Sequence, residues 1–517
     1  MEVLNDNKLS TLEKITNSVG SISDLESKWL ASVVSPYTGI IPDMWMKFLS
    51  NSGIVGISLP DMLDKYLTEL GYTTGTLNDK LTKAWYDITP FGGPFIIFSN
   101  GEEGVWYDPS DLTTLFQDSA GTTAVTAPAQ SVGLMRDKSG RGNHATASGT
   151  TRPIYAIAPK TGRRNLLTNT PFAGAVSGSP GTNPTSWGGA LFTGTRTLTL
   201  SGETLRLVVN GETNINQTIS VAANTNYIFS IKVNVTTASQ VQEHIRLAAG
   251  PAGSTLSYTI DGSVVSASTT VPTGEHIIAS RLAVGATAGT AQARFGCGFD
   301  GFSRVCDIVF SEPQAETGTS RTSYQRVFSA YEVTEAGVPS LSYLSFDGID
   351  DFMVTGTITP GTDKAQVFAG VRKLSDAAAG FVAELSTNST STAGSFGLLA
   401  PSASLNDFQF RSGGSISGII VSASGYPSPT TKVLSGLADI GGDNVVLRVN
   451  GSQAAQSSSD QGTGNFLAYP LYLGRRGGST FPFNGNLYGL ITRFGPNLST
   501  SMISTIENWL NIKTGAY

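Results

Sequence analysis

The amino-acid sequence predicts a mainly β protein with more than one domain, and three observations support this. The chain has 517 residues, more than one ordinary hydrophobic core holds, so about two to four domains are expected. Glycine occurs 59 times among abundant serine and threonine, which is typical of short strands joined by tight turns. Only 14% of residues are charged, against about 25% in a typical soluble domain. This composition favours surface-exposed proteins over cytosolic enzymes, although other all-β proteins share it.

The charge pattern argues against two classes of partner. The net charge is −6 and no basic stripe or tail is present, so nucleic acid is not an expected partner. No stretch approaches the roughly 18 apolar residues of a membrane-spanning helix, so no membrane insertion is expected. Residues 1–10, MEVLNDNKLS, lack the basic and apolar regions of a secretion signal. We therefore expect synthesis and assembly in a cytoplasm.

Residues 1–88 carry an internal repeat of about 18 residues that predicts short amphipathic helices. Three copies place Asp three residues after Ser or Thr, a pattern that favours a helix N-terminus. Helices this short are marginal alone and must pack on each other or on a partner. The segment is either a small helical domain or a docking segment for a larger assembly, and the two are compatible. The predicted docking residues are Met44, Trp45, Phe48, Leu49, Met62 and Tyr66.

Two separated segments carry a family resemblance. Residues 104–155 contain GVWYDPS, RDKSGRGNHAT and RPIY, and residues 343–353 read YLSFDGIDDFM. Together they resemble the opening of the concanavalin A-like (laminin-G-like) domains common in phage structural and tail proteins. Residues 471–515 resemble the end of the same family, with two apolar strands and a closing amphipathic helix capped at Ser499 or Thr500. The resemblance implies a β-sandwich.

About 185 residues separate the two halves of the sandwich motif, so we expect a domain inserted in the loop after Tyr155. The insertion opens with NLLTNTPF at Asn165 and closes with SEPQAETGTSRTSYQRV. It resembles the jelly-roll, carbohydrate-binding-module-like domains of phage proteins. The predicted division is a helical docking segment over 1–88, the first part of the sandwich over 89–161, the inserted jelly roll over 162–328, and the second part of the sandwich over 329–517.

Catalytic motifs are not evident in the sequence. Neither the E-x-D-x-x-E pattern of glycosidases with this fold nor a nucleophile elbow nor a phosphate-binding loop occurs, so we do not expect an enzyme. Asp347, Asp350 and Asp351 in FDGIDDF are either a calcium- or sugar-contacting cluster or turn carboxylates that accept backbone N–H groups. The His and Cys residues show no metal-ligand spacing, so calcium at this turn is the one cofactor left open.

A sugar could also be bound by stacking of an exposed aromatic ring on the face of the sugar ring. Trp187 in the loop SGSPGTNPTSWGG is the best single candidate, with a packing role as the alternative. Phe481 and Phe483, near two arginines, are weaker candidates. Cys297 and Cys306 flank a Gly-rich turn, where free thiols are favoured and a disulfide remains open.

The resemblances imply a phage virion surface protein, tail-fibre-like or displayed on the capsid, made in the host cytoplasm. Its helices would dock to other virion proteins, and its sandwiches would bind host-surface polysaccharide weakly through many copies. We expect a homo-oligomer, although no sustained heptad pattern enforces one. The alternatives are a capsid decoration or collar protein without a ligand and, further away, a polysaccharide depolymerase. A depolymerase usually carries a long parallel β-helix, whose repeats are not visible here.

Overall fold

A computed structural model describes residues 97–299, 301–416 and 418–517. Within these ranges the chain is mainly β, with several sheets and one C-terminal helix, so the predicted fold class is confirmed. The helical repeats predicted over 1–88 lie outside the described residues. The same holds for the predicted docking residues Met44, Trp45, Phe48, Leu49, Met62 and Tyr66.

The described strands fall into three successive groups along the chain. Before the inserted segment lie β1 (Glu103–Tyr107), β2 (Leu115–Phe116), β3 (Leu134–Met135), β4 (Ala145–Thr146) and β5 (Ile154–Pro159). Within it lie β6 (Leu191–Ser201), β7 (Thr204–Val221), β8 (Asn226–Thr237), β9 (Ile245–Ala248), β10 (Thr255–Ile260), β11 (Ser263–Val265), β12 (Gly274–Ala283), β13 (Gly289–Cys297) and β14 (Arg304–Thr317).

The third group follows the inserted segment and ends with the helix. It comprises β15 (Gln325–Ser329), β16 (Glu332–Glu335), β17 (Ser340–Asp347), β18 (Met353–Ile358), β19 (Lys364–Lys373), β20 (Phe381–Leu385), β21 (Ser395–Leu399), β22 (Asp407–Gly413), β23 (Ile419–Ser424), β24 (Thr430–Asp439), β25 (Asn444–Val449), β26 (Ser452–Ser457), β27 (Tyr469–Leu473), β28 (Asn484–Phe494) and α1 (Thr500–Thr514).

These strands form three sheets in the described part of the chain. Sheet A has the order β15-β16-β5-β17-β28-β19-β24-β25-β26, with β1 also paired to β28. Sheet B has the order β2-β3-β4-β18-β27-β20-β21-β22-β23. Sheet C has the order β11-β10-β12-β8-β14-β7-β13-β9, with β6 also paired to β7. Sheets A and B draw on both flanking groups, whereas sheet C draws on the inserted segment.

The register shows how the two halves of the sandwich meet. Tyr155 of β5 pairs with Leu344 of β17, and Leu344 pairs in turn with Leu487 of β28. Strands from before and after the inserted segment therefore lie side by side in sheet A. The domain boundaries near 161 and 328 remain predictions.

The two larger hydrophobic clusters among the described residues fill these layers. In the strands of sheets A and B, alternate residues point inward, for example Phe396 and Leu398 of β21 and Phe408 and Phe410 of β22. A second cluster belongs to sheet C. The period of two places the intervening side chains on the opposite face, which is where polar groups of sheet B gather.

Helix α1 packs on sheet A, as the amphipathic pattern predicts. Ile503, Ile506 and Leu510 are buried on one helix face. The Ser499 hydroxyl accepts from the backbone N–H of Met502, and Gly515 ends the helix in the left-handed conformation. Among the described residues, no helix has the length and apolar character needed to cross a membrane.

Strand β7 changes its pairing partner at a glycine. Its first half pairs with β14 up to Gly211, and its second half pairs with β13 from Thr213 onward. Gly211 has φ 152°, and a Cβ there would lie 2.0 Å from the carbonyl oxygen of Thr193 on β6. A side chain at this position would separate β6 from β7, so glycine is required where the pairing partner changes.

Side-chain hydrogen bonds fasten the two ends of the inserted segment together. Asn165 is buried and its side chain makes four hydrogen bonds to the backbone, three of them to the segment that closes the insertion. The Tyr324 hydroxyl lies 2.7 Å from that of Thr170 and so joins the two ends again, whereas the 2.8 Å hydrogen bond from Gln314 to the Glu316 carboxylate lies within the closing end. Residues of the opening and closing motifs therefore have a structural role, because they hold the two ends of the inserted segment together.

Candidate functional site

Trp187 lies inside the core of sheet C. Its side chain is only 5% exposed, and its Nε1 donates a 2.9 Å hydrogen bond to the carbonyl oxygen of Asn169. Its ring meets Phe295 edge to face at 5.3 Å and packs against Phe172 at 5.8 Å. The prediction that Trp187 offers an exposed ring to a sugar is therefore wrong. The loop folds back on the sheet, and the tryptophan has the packing role instead.

The three aspartates of FDGIDDF organise the turn after β17. Asp347 Oδ1 accepts from the backbone N–H groups of Ile349 and Asp350, at 2.7 and 3.2 Å. Asp351 Oδ2 accepts from the backbone N–H of Asp347 at 2.9 Å. The Thr150 hydroxyl donates to Asp350 at 3.1 Å, which ties this turn to the first part of the chain. The turn role predicted for these carboxylates is present.

The same three carboxylates also converge. One oxygen of each lies within 4.8 Å of the others. Burial, followed by repulsion from Asp347 and Asp350, raises the pKa of Asp351 to about 7. Clustered carboxylate oxygens are the ligands that Ca²⁺ prefers, so calcium binding at this turn stays a prediction.

The raised pKa gives a pH-dependent stability that Asp351→Asn should remove. Between about pH 4 and pH 7 the folded chain holds a proton on Asp351 that the unfolded chain has lost. The wild-type free energy of unfolding should therefore fall through this window as pH rises, by about 1–2 kcal/mol since water partly screens the turn. Asp351→Asn keeps the acceptor oxygen and should flatten that slope in chelator-containing buffer.

Thermal unfolding of both proteins from pH 4.5 to 8 checks this expectation. Asp460→Asn is a matched control, because Asp460 is another turn carboxylate that accepts a backbone N–H, from Gly462 at 2.7 Å. Parallel Tm curves for the wild type and Asp351→Asn would show that the pKa of Asp351 is not raised in the folded chain.

The loop between β27 and β28 presents the weaker sequence candidates. Phe481 is 43% exposed and has φ 51°, a left-handed conformation that a bulky residue rarely adopts. The Arg476 guanidinium lies 5.0 Å from the Phe481 ring centroid and 4.4 Å from that of buried Phe381. Phe483, by contrast, is buried in the sandwich core. The Phe481 ring therefore reaches solvent beside a charged group.

Arg476 forms an ion pair with a buried carboxylate, that of Glu384. Its Nε donates to Glu384 Oε1 at 3.2 Å, and the Glu384 side chain is fully buried. The same oxygen accepts from the hydroxyl and backbone N–H of Ser389, at 2.6 and 2.7 Å. Burial raises the pKa of Glu384 despite these donors. Adjacent Arg475 instead donates to the carbonyl oxygens of Asp350 and Ser479, so it contacts the aspartate turn.

Arg411 completes this group on sheet B. Glu384 of β20 and Arg411 of β22 both pair with Gly397 of β21, so they share one row and one face of the sheet. Arg411 is 8% exposed, and its Nη2 donates to Gln409 at 3.3 Å. Burial, and then the like charge of Arg476, lowers the pKa of Arg411. We call Phe481, Arg476, Glu384 and Arg411 the Glu384 cluster.

Two further groups of side chains resemble binding sites. His244, Cys297 and Cys306 lie buried with ligand atoms within 4.8 Å of one another, although sequence spacing gave no sign of it. His244 Nε2 accepts from the backbone N–H of Ser239 and Nδ1 donates to the Gly296 carbonyl, so both nitrogens are used. The cysteines are free thiols, and hydrogen bonding between them together with burial raises the pKa of Cys306. This group packs as part of the core.

The second is a groove in sheet C of about 200 Å³. It is lined by arginines on neighbouring strands, Arg246 and Arg294, together with Ser254, Leu256 and Leu282. Both arginines already have interaction partners within the chain, so this groove is a weaker candidate for binding an anionic ligand than the Glu384 cluster.

Comparisons with known proteins give structural likeness alone. No protein-family model matches the chain, and no curated protein matches it in sequence. The carbohydrate-binding module CBM40 of the Ruminococcus gnavus IT-sialidase matches with a TM-score of 0.24 and 14% identity, covering 28% of this chain and 84% of that one. The receptor-binding domain of botulinum neurotoxin type G gives 0.25 and 9%, covering 33% and 42%. A Trypanosoma rangeli sialidase gives 0.25 and 14%, covering 32% and 27%. Scores at this level establish neither a shared fold nor a shared ligand.

Proposed function

We propose that this chain is a non-enzymatic surface protein of a phage particle that binds glycans on the host surface. The sequence motifs of the sandwich and of the inserted jelly roll support the phage assignment. The repeats of residues 1–88 support attachment to other virion proteins, and a homo-oligomeric form would present several copies of each sandwich. Weak sites displayed together bind through avidity without any new contact.

The Phe481 ring beside Arg476 is the observation that carries glycan binding. A sugar ring has an apolar face that packs on an aromatic ring, and hydroxyls that need hydrogen-bonding groups next to it. Phe481 supplies a half-exposed ring, and Arg476 supplies a charged hydrogen-bonding group beside it. Holding Phe481 in a left-handed conformation costs about 1 kcal/mol or more, and such strain clusters at binding sites.

Glycan-array and whole-cell binding by the full-length chain tests this function. We expect saturable binding that Phe481→Ala weakens about tenfold, the effect of losing about 1.4 kcal/mol of ring contact. Phe302→Ala is the matched control, since Phe302 is 56% exposed with the Arg304 guanidinium 5.4 Å from its ring. That control should bind like the wild type.

Two outcomes would change the proposal. If no host glycan binds while the chain still assembles onto particles, a structural decoration or collar protein is the better answer. If a chain lacking residues 1–88 still joins particles normally, the docking role of that segment is wrong.

A further inference from the structure

The Glu384 cluster contains more positive charge than negative charge. It holds two guanidinium groups, on Arg411 and Arg476, and the single carboxylate of Glu384. Oε1 of that carboxylate already accepts from Arg476 and twice from Ser389. The charge of Arg411 is therefore left without a carboxylate of its own.

The same cluster contains hydrogen-bonding atoms whose partners are missing. Within the part of the chain that the structure describes, Nε and Nη1 of Arg411 are buried and have no hydrogen-bond partner. The second carboxylate oxygen of Glu384, Oε2, is also buried and has no hydrogen-bond partner among the described residues. Buried donors and acceptors of this kind are costly, and charged ones most of all, so a partner from outside the chain is expected.

The chemistry of that partner follows from what is missing. Arg411 needs an acceptor, preferably an anionic one, because guanidinium N–H groups pair most strongly with carboxylates. Glu384 Oε2 needs a donor, which a hydroxyl group supplies. A sugar acid carries a carboxylate and ring hydroxyls on one small molecule, whereas an inorganic anion such as chloride has no donor to offer.

We propose that the Glu384 cluster binds a saccharide bearing a carboxylate group, with its ring on Phe481 and its acid group paired with Arg411. This inference rests on the proposed glycan-binding function and names the ligand class of the same site. Ser389, in the loop of residues 386–394, is buried and donates to Glu384 Oε1. That loop must move aside for the acid group to reach the guanidinium groups.

Paired ligands that differ in the acid group test the inference on the full-length chain. The probes are 3′-sialyllactose against lactose, and digalacturonate against its neutral galactose counterpart, so that the two sources of carboxylated sugar are separated. We expect at least one acidic probe to bind tenfold or more tightly than its neutral partner. Arg411→Gln should lower the affinity for the acidic probe to that for its neutral partner, and Arg411→Lys should restore part of the difference.

Arg136→Gln is the control, because it removes the same guanidinium charge at an exposed position outside the Glu384 cluster. If Arg411→Gln fails to fold, stabilisation of the wild type by the acidic probe, seen as a rise in Tm absent with the neutral one, still decides the matter. Equal affinity for acidic and neutral probes, or an acid preference that survives in Arg411→Gln, would overturn the inference and leave glycan binding standing. Stabilisation by chloride or phosphate alone would also overturn it. Failure of every glycan, charged or neutral, would overturn the proposed function itself.

Discussion

Replacing Asn165 by alanine should destabilise the inserted region by about 3–4 kcal/mol, one of the two largest effects we expect. The Asn165 side chain donates from Nδ2 to the carbonyl oxygens of Pro313 and Gln325, at 3.1 and 2.9 Å. Its Oδ1 accepts from the backbone N–H groups of Leu167 and Ala315, at 3.2 and 3.1 Å. The residue is fully buried, so water cannot replace these partners in the variant.

Hydrogen–deuterium exchange in increasing urea, followed on peptides from β7 and β14, measures this loss where it occurs. Asn234→Ala is the control, because Asn234 is exposed on β8 of the same sheet, and its effect should stay within about 0.5 kcal/mol. Asn165→Asp keeps the two acceptor contacts and loses the two donor contacts, so it should also be destabilised. Exchange in Asn165→Ala equal to that of the wild type would show that the insertion closes without this fastening.

Much of the architecture could be predicted because local patterns report it directly. The alternation in β21 and β22 and the amphipathic spacing of Ile503, Ile506 and Leu510 mark buried faces whatever lies against them. The turn residues of FDGIDDF behave as short polar side chains beside a glycine do. Each of these features depends on neighbours within a few residues in the sequence.

The candidate site could be predicted only in part, because it depends on contacts between distant segments. Glu384 and Arg411 meet across Gly397, and each occupies an outward position of a strand where a polar residue is ordinary. The neighbouring sequence does not distinguish an outward-facing residue that stays in contact with water from one that a loop covers in the folded chain. Phe481 and Arg476 could be noticed because an aromatic residue and an arginine in one loop are unusual, but their connection to Glu384 could not.

Trp187 is a second residue whose surroundings in the fold could not be predicted from the neighbouring sequence. Replacing it by alanine, Trp187→Ala, should lower the free energy of unfolding by about 3–5 kcal/mol. The substitution removes the contacts with Phe172 and Phe295 and the hydrogen bond to Asn169. A loop rich in Gly, Pro and Thr suggests exposure, yet Asn169 adopts a left-handed conformation, φ 49°, near the point where the chain turns the loop onto the sheet. Burial of the ring thus follows from tertiary packing, which the loop's composition does not encode.

Stability and glycan binding of the Trp187 variants are measured separately. Trp187→Ala should show increased hydrogen exchange in sheet C and a lower Tm, whereas glycan binding by the sandwich should persist at temperatures where the variant stays folded. Trp187→Phe keeps an aromatic ring and loses the N–H donor, so its cost should be smaller, about 1–2 kcal/mol. A Trp187→Ala chain with unchanged stability and lost glycan binding would instead place the sugar on this ring. Because the ring is enclosed by two phenylalanines and hydrogen-bonded at its only polar atom, we expect the first result, and the variant then reports on folding of the inserted region.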